Sequence, residues 1–242
     1  MKNHLGSIII GLVIIISTML LAHAWVHSHE RSSSIDVTGL ASKDFVSDLI
    51  VWDCSFTRKS PDLKTAYADL KKDADQLKQY LISKGIKENE IVFEAINIFK
   101  EFENVKDKND FEKQVFTGYT LSQCVRVESK DVDHVETISR EVTELINSGI
   151  ELNSELPRYY YTKLAELKIE MLASASKDAR NRAENITENA GGSITVLKNA
   201  EMGVFQITAL NSTEGYSWGG TLNTSSKRKT ASITVKLRFS VN

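Results

Sequence analysis

The stretch DFVSDLIVWDCSFTRKSPDLKTAYADLKKDADQLKQYLISKG, residues 44–85, decides how the rest of the chain is read. From Asp44 to about Thr57 it alternates. Val46, Ile50, Trp52 and Phe56 fall on one side of a period-2 pattern, the mark of a half-buried strand. Ser60-Pro61-Asp62 then starts a helix, with Ser as N-cap, Pro at the first helical position and a carboxylate facing the positive end of the dipole. Leu63, Ala66, Tyr67, Leu70, Ala74, Leu77 and Leu81 recur on one stripe until Gly85 stops it. The opposite face is mostly Lys, Asp and Gln, which solvation alone explains.

Outward from this unit the same two periods repeat. Upstream, Ile35-Asp36-Val37-Thr38 is a first strand ending at Gly39. Downstream, strands at about Ile91–Phe102 and Phe116–Val127 are joined by the polar stretch Glu103–Asp110, which suits an exposed hairpin end. A second helix begins near Asp131, places Val132, Val135, Ile138, Val142, Leu145 and Ile146 at helical spacing, and ends at Gly149. A strand around Asn153–Tyr160 precedes a long helix, about Thr162–Asn189, closed by Gly191-Gly192. Its stripe of Leu164, Leu167, Met171, Ala175, Ala179, Ala183 and Ile186 contains an alanine seam, which predicts close approach to an internal sheet. Ser193–Ala200, Val204–Leu210 and Ala231–Val241 read as strands, the last with Ile233, Val235, Leu237 and Phe239 in alternation and expected to end the open sheet as an edge. Residues 44–160 thus read β-α-β-β-α-β, the order of a ferredoxin-like split βαβ unit. With the long third helix and the C-terminal strands extending that layer, the expectation is an α+β domain over residues 31–242.

Residues 1–30 are of another kind. Between Lys2 and Glu30 there is no Asp, Glu, Lys or Arg, and Leu5–Ala24 is apolar over the ~20 residues that a bilayer core requires of a helix. Lys2 and the α-amino group bias the N-terminus to the cytoplasm, so a single-pass signal-anchor would hold residues 31–242 outside it, facing the periplasm. Trp25 suits the headgroup level where such a helix leaves the membrane. The rival reading is a cleaved signal peptide with Ala22-His23-Ala24 as the cleavage site, which would release the domain into the periplasm.

Composition narrows the function further. Lys and Arg total 30 against 32 Asp and Glu, a formal net charge of −2, so no global field favours nucleic acid. The cluster Lys227-Arg228-Lys229 reads as a solvated strand start. Two cysteines, Cys54 and Cys124, allow at most one disulfide. By alternation Cys54 shares its face with Trp52 and Phe56 whereas Cys124 lies opposite Leu121 and Val125, so the thiols are expected to diverge rather than bridge.

Three local motifs stand in order along the chain: Ile35-Asp36-Val37-Thr38-Gly39-Leu40-Ala41 at the opening strand, Phe116-Thr117-Gly118-Tyr119-Thr120-Leu121 followed by Val125-Arg126-Val127, and Ala179-Arg180-Asn181-Arg182-Ala183-Glu184 in the long helix, with Gly191-Gly192 before the next strand. They resemble, in turn, the opening strand and Gly turn, the Gly-Tyr strand with a Val-x-Val end, and the Ala-Arg-x-x-Ala helix segment of the SIMPL-domain family of exported or envelope-anchored bacterial proteins. The order of these motifs covers the chain after residue 31, and the loose polar connection Asn211–Lys227 departs from the pattern. The resemblance implies an envelope protein linked to stress defence, oxidative stress included, and to oligomeric assembly. It supplies no agreed activity, catalytic residue or cofactor.

The residues themselves point the same way. Four of the five histidines lie at or before residue 29; only His134 belongs to the domain, at a helix start where surface placement is expected. His27-x-His29 lacks a third ligand for a metal site and reads as a polar membrane exit. No G-x-S-x-G elbow or Walker A loop occurs, and helical carboxylate pairs arise by spacing alone. The N-x-S/T tripeptides at Asn185, Asn211 and Asn223 read as accidental under the bacterial origin that the resemblance implies. The connection Asn211–Lys227 carries Tyr216 and Trp218 among Gly, Ser, Thr and Asn, a candidate partner-binding loop whose alternative is Trp218 folding back onto the sheet. The expectation is a non-enzymatic protein with no cofactor or metal. It is anchored in the cytoplasmic membrane through residues 5–24, forms homo-oligomers through sheet edges or the long helix, and is open to an envelope protein partner. A monomeric ligand- or protein-binding sensor or adaptor is the first alternative, and a hydrolase using a carboxylate pair the second.

Overall fold

A computed structural model describes residues 2–28, 33–106 and 112–242, with side chains of the first helix described from Ile9 to Ala24. The elements in chain order are α1 (Lys2–Ser28), β1 (Ser34–Val46), β2 (Leu49–Ser60), α2 (Leu63–Ser83), β3 (Ile91–Phe93), β4 (Asn97–Lys106), β5 (Glu112–Ser129), α3 (Val132–Glu141), β6 (Glu151–Ser154), β7 (Arg158–Tyr160), α4 (Leu164–Asn189), β8 (Ile194–Met202), β9 (Gln206–Ala209) and β10 (Arg228–Val241). Among the described residues no helix is long and apolar enough to cross a membrane. The apolar run Leu5–Ala24 reaches beyond the side chains described in α1.

The strands form two antiparallel sheets. In the six-stranded sheet the order is β3-β5-β2-β6, with β4 also on β5 and β7 also on β2. The register puts Trp52 opposite Val127 and Cys54 opposite Val125. This row is buried together with Ile50, Phe56 and Leu121, and it meets Leu70, Leu77 and Leu81 of α2 and Val135 and Ile138 of α3. Trp52 Nε1 donates to Ser154 Oγ at 3.0 Å, and Ser154 Oγ donates on to Ser139 O at 2.7 Å, so the one polar atom of the indole is satisfied inside the core.

Several boundaries differ from the sequence reading. β1 does not stop at Gly39 but runs to Val46, and the break before β2 falls at Ser47-Asp48. There Asp48 N donates to Tyr160 O, and Asp48 Oδ1 accepts from Thr162 N at 2.7 Å. The N-cap of α2 is Asp62, not Ser60: its carboxylate accepts from Thr65 N at 2.9 Å and Thr65 Oγ1 at 3.0 Å, while Ser60 still belongs to β2. The buried stripe of α2 is rotated from the expected one. Tyr67 is half exposed, whereas Asp73 is buried and paired with Arg58 of β2, which also donates to Gly149 O at 2.8 Å. The strand expected over Ile91–Phe102 is interrupted at residues 94–96, and Pro157 falls between β6 and β7.

The long helix and the C-terminal strands do not extend the first sheet. They belong with a second, four-stranded one, ordered β1-β10-β8 with β9 also on β10. β10 pairs Leu237 with Ala200 of β8 and Ala231 with Ile207 of β9. Since β1 lies on its other side, the Ala231–Val241 strand is not a sheet edge. The alanine seam of α4 is explained by β1. Ala175, Ala179 and Ala183 are fully buried, and a Cβ on Gly39 would stand 2.1 Å from Ala175 O and 2.4 Å from Ala179 N. Only a residue without a side chain lets the two backbones come this close.

The chain divides into two compact units. One comprises Met1–Leu40, Ser174–Gly203 and Thr234–Asn242; the other comprises Ala41–Ala173 and Val204–Ile233.

Candidate functional site

The connection from β9 to β10 is a built loop, and its hub is Gln206 of β9, a buried amide. Gln206 Nε2 donates to Ser217 O at 2.8 Å, and its Oε1 accepts from Thr221 N at 2.8 Å and Ser217 N at 3.3 Å. The turn between these residues closes on itself, Gly220 N donating to Ser217 O at 3.1 Å. Gly220 has φ 92°, a conformation glycine adopts without strain. The chain then returns along β9: Ile207 N donates to Thr221 O at 2.7 Å and Asn223 N to Ile207 O at 2.9 Å. At the root, Glu214 accepts from Ala209 N at 3.0 Å and from Asn223 Nδ2 at 2.6 Å, and Asn223 Oδ1 accepts from Ser226 N at 2.9 Å.

This frame holds its two aromatic residues outward. Trp218 is 99% exposed and Tyr216 72%. Trp218 therefore stands clear of the sheet, while Tyr216 Oη accepts from Ser232 Oγ at 3.3 Å. Leu222 and Val204 are exposed beside them, and Lys168 Nζ lies 5.4 Å over the Phe205 ring.

A second exposed apolar surface lies on β4 and the first part of β5. Every residue of β4 is exposed, and β4 pairs with β5 alone among the described residues. Ile98, Phe99, Phe102 and Val105 stand on β4, with Val115 and Phe116 on β5. The rings of Phe102 and Phe116 meet edge-on at 5.8 Å, and those of Phe116 and Tyr119 at 5.0 Å. A bulge falls between Glu101 and Phe102, opposite Gly118. A Cβ on Gly118 would come 2.7 Å from Ser60 O, which accounts for glycine in the Gly118-Tyr119 motif. The sequence reading placed the hairpin end at Glu103–Asp110 and so missed that paired strand continues to Lys106 and resumes at Glu112. The available signal was Phe99, Phe102 and Val105 set among Lys100, Glu101 and Glu103.

The remaining candidates are placed apart from one another. Cys54 faces the core and Cys124, opposite Ser55, the other side of the sheet; both are free thiols. Burial pushes the Cys54 thiol up to about 12 and also raises Cys124, so neither is poised as a thiolate. His134 Nε2 lies 2.7 Å from Lys84 O, and its backbone N donates to the N-cap Asp131. Asp53, buried on the Cys124 side, holds Arg126 at 2.8 Å and also Arg158, while Glu94 takes the other end of Arg126 at 3.1 Å. His27 and His29 lie outside the described side chains. Among the described residues no group of three His, Cys, Asp or Glu is placed to hold a metal ion.

The basic cluster corrects one expectation. It is not a solvated strand start: Lys227 pairs with Asp133 and Glu136, and Lys229 is 2% exposed, donating to Tyr159 O. Burial pulls the Lys229 amine down to about 8. The signal lay in the period of β10, which puts Lys229 on the same row as Ala231, Ile233 and Val235.

Comparison with protein families finds a match over residues 35–240 to SIMPL, described as a protein of unknown function (DUF541). A search of curated proteins finds no match.

Proposed function

We propose that this chain, which belongs to the SIMPL family, is a non-enzymatic protein of the cell envelope that assembles into homo-oligomers through the β4–β5 arm and serves envelope or oxidative stress defence. In this reading the apolar run Leu5–Ala24 is a signal-anchor in the cytoplasmic membrane, with the folded part in the periplasm. The length of that run and the charge on Lys2 support it. The six-stranded sheet with α2 and α3 is read as a ferredoxin-like unit, on the support of its order β3-β5-β2-β6 and its antiparallel pairings.

The observation that carries the assembly is β4. Ten residues of edge strand offer backbone donors and acceptors on the side away from β5, and they present Ile98, Phe99, Phe102 and Val105. Such an edge pairs with another chain unless it is guarded. Lys100, Glu101 and Glu103 interleave both signs of charge along it, which permits a matched protein partner. Chemical crosslinking in intact cells, read by mass spectrometry, tests this: links that join Lys100 of one copy to Lys100 of another are expected. Links confined within single copies would remove assembly from the reading. Intact mass of the membrane fraction tests the anchor, which a mature N-terminus at Trp25 would exclude.

The second reading, a sensor or adaptor acting as a monomer through residues 211–227, is favoured by one observation, the full exposure of Trp218 on an ordered turn.

A further inference from the structure

The turn that presents Trp218 differs from the β4–β5 arm in one respect: it carries no charge. From Gly215 to Ser226 there is no Asp, Glu, Lys or Arg, although the turn projects Trp218 and Tyr216 into solvent and Leu222 beside them. An exposed loop gains solubility from charged residues, and their absence over the tip removes the main penalty for entering a medium of low dielectric constant.

Backbone polarity is the other penalty, and part of it is met internally. Ser217 N, Ser217 O and Thr221 N are bound by the Gln206 amide, Gly219 N by Ser217 Oγ at 3.3 Å, and Gly220 N by Ser217 O. A turn that leaves water must satisfy them itself.

The size of the tip separates a lipid from a protein occupant. Tyr and Trp side chains bury about 150–250 Å² each, so the tip falls well short of the ~800 Å² per partner that a stable protein interface uses. Partitioning of indole and phenol rings into the headgroup region needs no matching surface. Lys168, exposed and lying over the Phe205 ring at the base of the turn, adds a cation where anionic headgroups would stand.

We infer that the turn Gly215–Ser226 is a membrane-contact element that inserts Trp218 and Tyr216 among the lipid headgroups of an anionic bilayer. The inference rests on reading residues 211–227 as a contact surface, and it names the lipid surface as the occupant.

The test uses the full chain reconstituted into liposomes of phosphatidylcholine with a minority of phosphatidylglycerol, made with or without bromine on the acyl chains near the headgroups. Tryptophan emission is compared for the native chain, Trp218→Ser and Gly219→Asp. A Cβ at Gly219 meets nothing within 4 Å, so the aspartate adds charge to the tip without strain. The expected result is bromine-dependent quenching that is larger in the native chain than in Trp218→Ser, with Gly219→Asp reduced to the level of the serine variant. Equal quenching in the native and Trp218→Ser chains overturns the inference. So does a blue shift of Trp218 that ignores bromine, which would mean a protein covers it. Quenching that persists in Trp218→Ser reports Trp25 and hence the anchor, so the anchor and the turn succeed or fail separately.

Discussion

Lys229 is a buried cation that donates to the Tyr159 carbonyl, and replacing it should change how stability depends on pH. Its amine titrates near 8 in the fold against 10.5 in an exposed chain, because burial disfavours the charged form. The sign follows from proton binding. Below pH 8 both states hold the proton, and the folded state carries the full cost of a desolvated ammonium. Between pH 8 and 10.5 the unfolded state binds more protons, so the free energy of unfolding rises with pH across that window. At about 1.4 kcal/mol per pKa unit, the rise due to this one group is about 3 kcal/mol. Lys229→Met removes it, while leaving Tyr159 O without its donor at a cost of about 1 kcal/mol. Urea unfolding at a series of pH values, followed through the buried Trp52, measures both chains. The native-minus-variant difference should climb by about 3 kcal/mol from pH 8 to pH 10.5. A difference that stays flat, with other titrating groups cancelled by the subtraction, would refute a desolvated ammonium at this site.

Three further outcomes follow from the packing. Gly39→Ala should destabilise the chain by at least ~1–3 kcal/mol, the usual range for an overpacked site, because its methyl would lie within 2.4 Å of the α4 backbone; a melting temperature equal to the native value would contradict the β1–α4 approach. Leu70→Ala, at a fully buried position of α2, should cost about 2–5 kcal/mol in urea unfolding, and a change below ~0.5 kcal/mol, typical of surface sites, would place Leu70 outside the core. Gln206→Ala should speed amide hydrogen exchange at Ser217 and Thr221 without altering exchange in β2 and β5; unchanged protection at both amides would mean that the side chain of Gln206 does not hold the turn.

What the sequence made legible was set by local periodicity. The stripe Leu70, Leu77 and Leu81, the start of the second helix near Asp131, the alternation of β10 and the divergence of Cys54 from Cys124 each depend on residues a few positions apart. The misses depend on partners far along the chain. Asp73 sits at helical spacing with Ala66, Leu70 and Leu77, but its burial is tolerable only because Arg58 reaches it from β2. That β10 lies between β1 and β8, and so is no edge, is a pairing that no local pattern encodes. The break at Ser47-Asp48 was hidden by strand-forming residues on both sides of it, and is fixed by Asp48 binding Tyr160 and Thr162. In the candidate loop, the Gly and Ser around Tyr216 and Trp218 mark a surface connection but leave open whether Trp218 stands in solvent or folds back onto the sheet; its exposure is read from the structure. The hub at Gln206 could not be expected, since it acts on residues 11 and 15 positions away.

Assembly through the β4–β5 arm is the claim on which the functional account turns, and the mass of the purified full chain in detergent tests it most directly. Multi-angle light scattering of the native chain should give one discrete multiple of the 27.1 kDa subunit. Phe102→Asp, a charge at an exposed position of β4 that leaves the core untouched, should reduce that mass to the monomer. A monomer for both chains at concentrations well above those in the cell would contradict the account and leave the monomeric sensor or adaptor in its place.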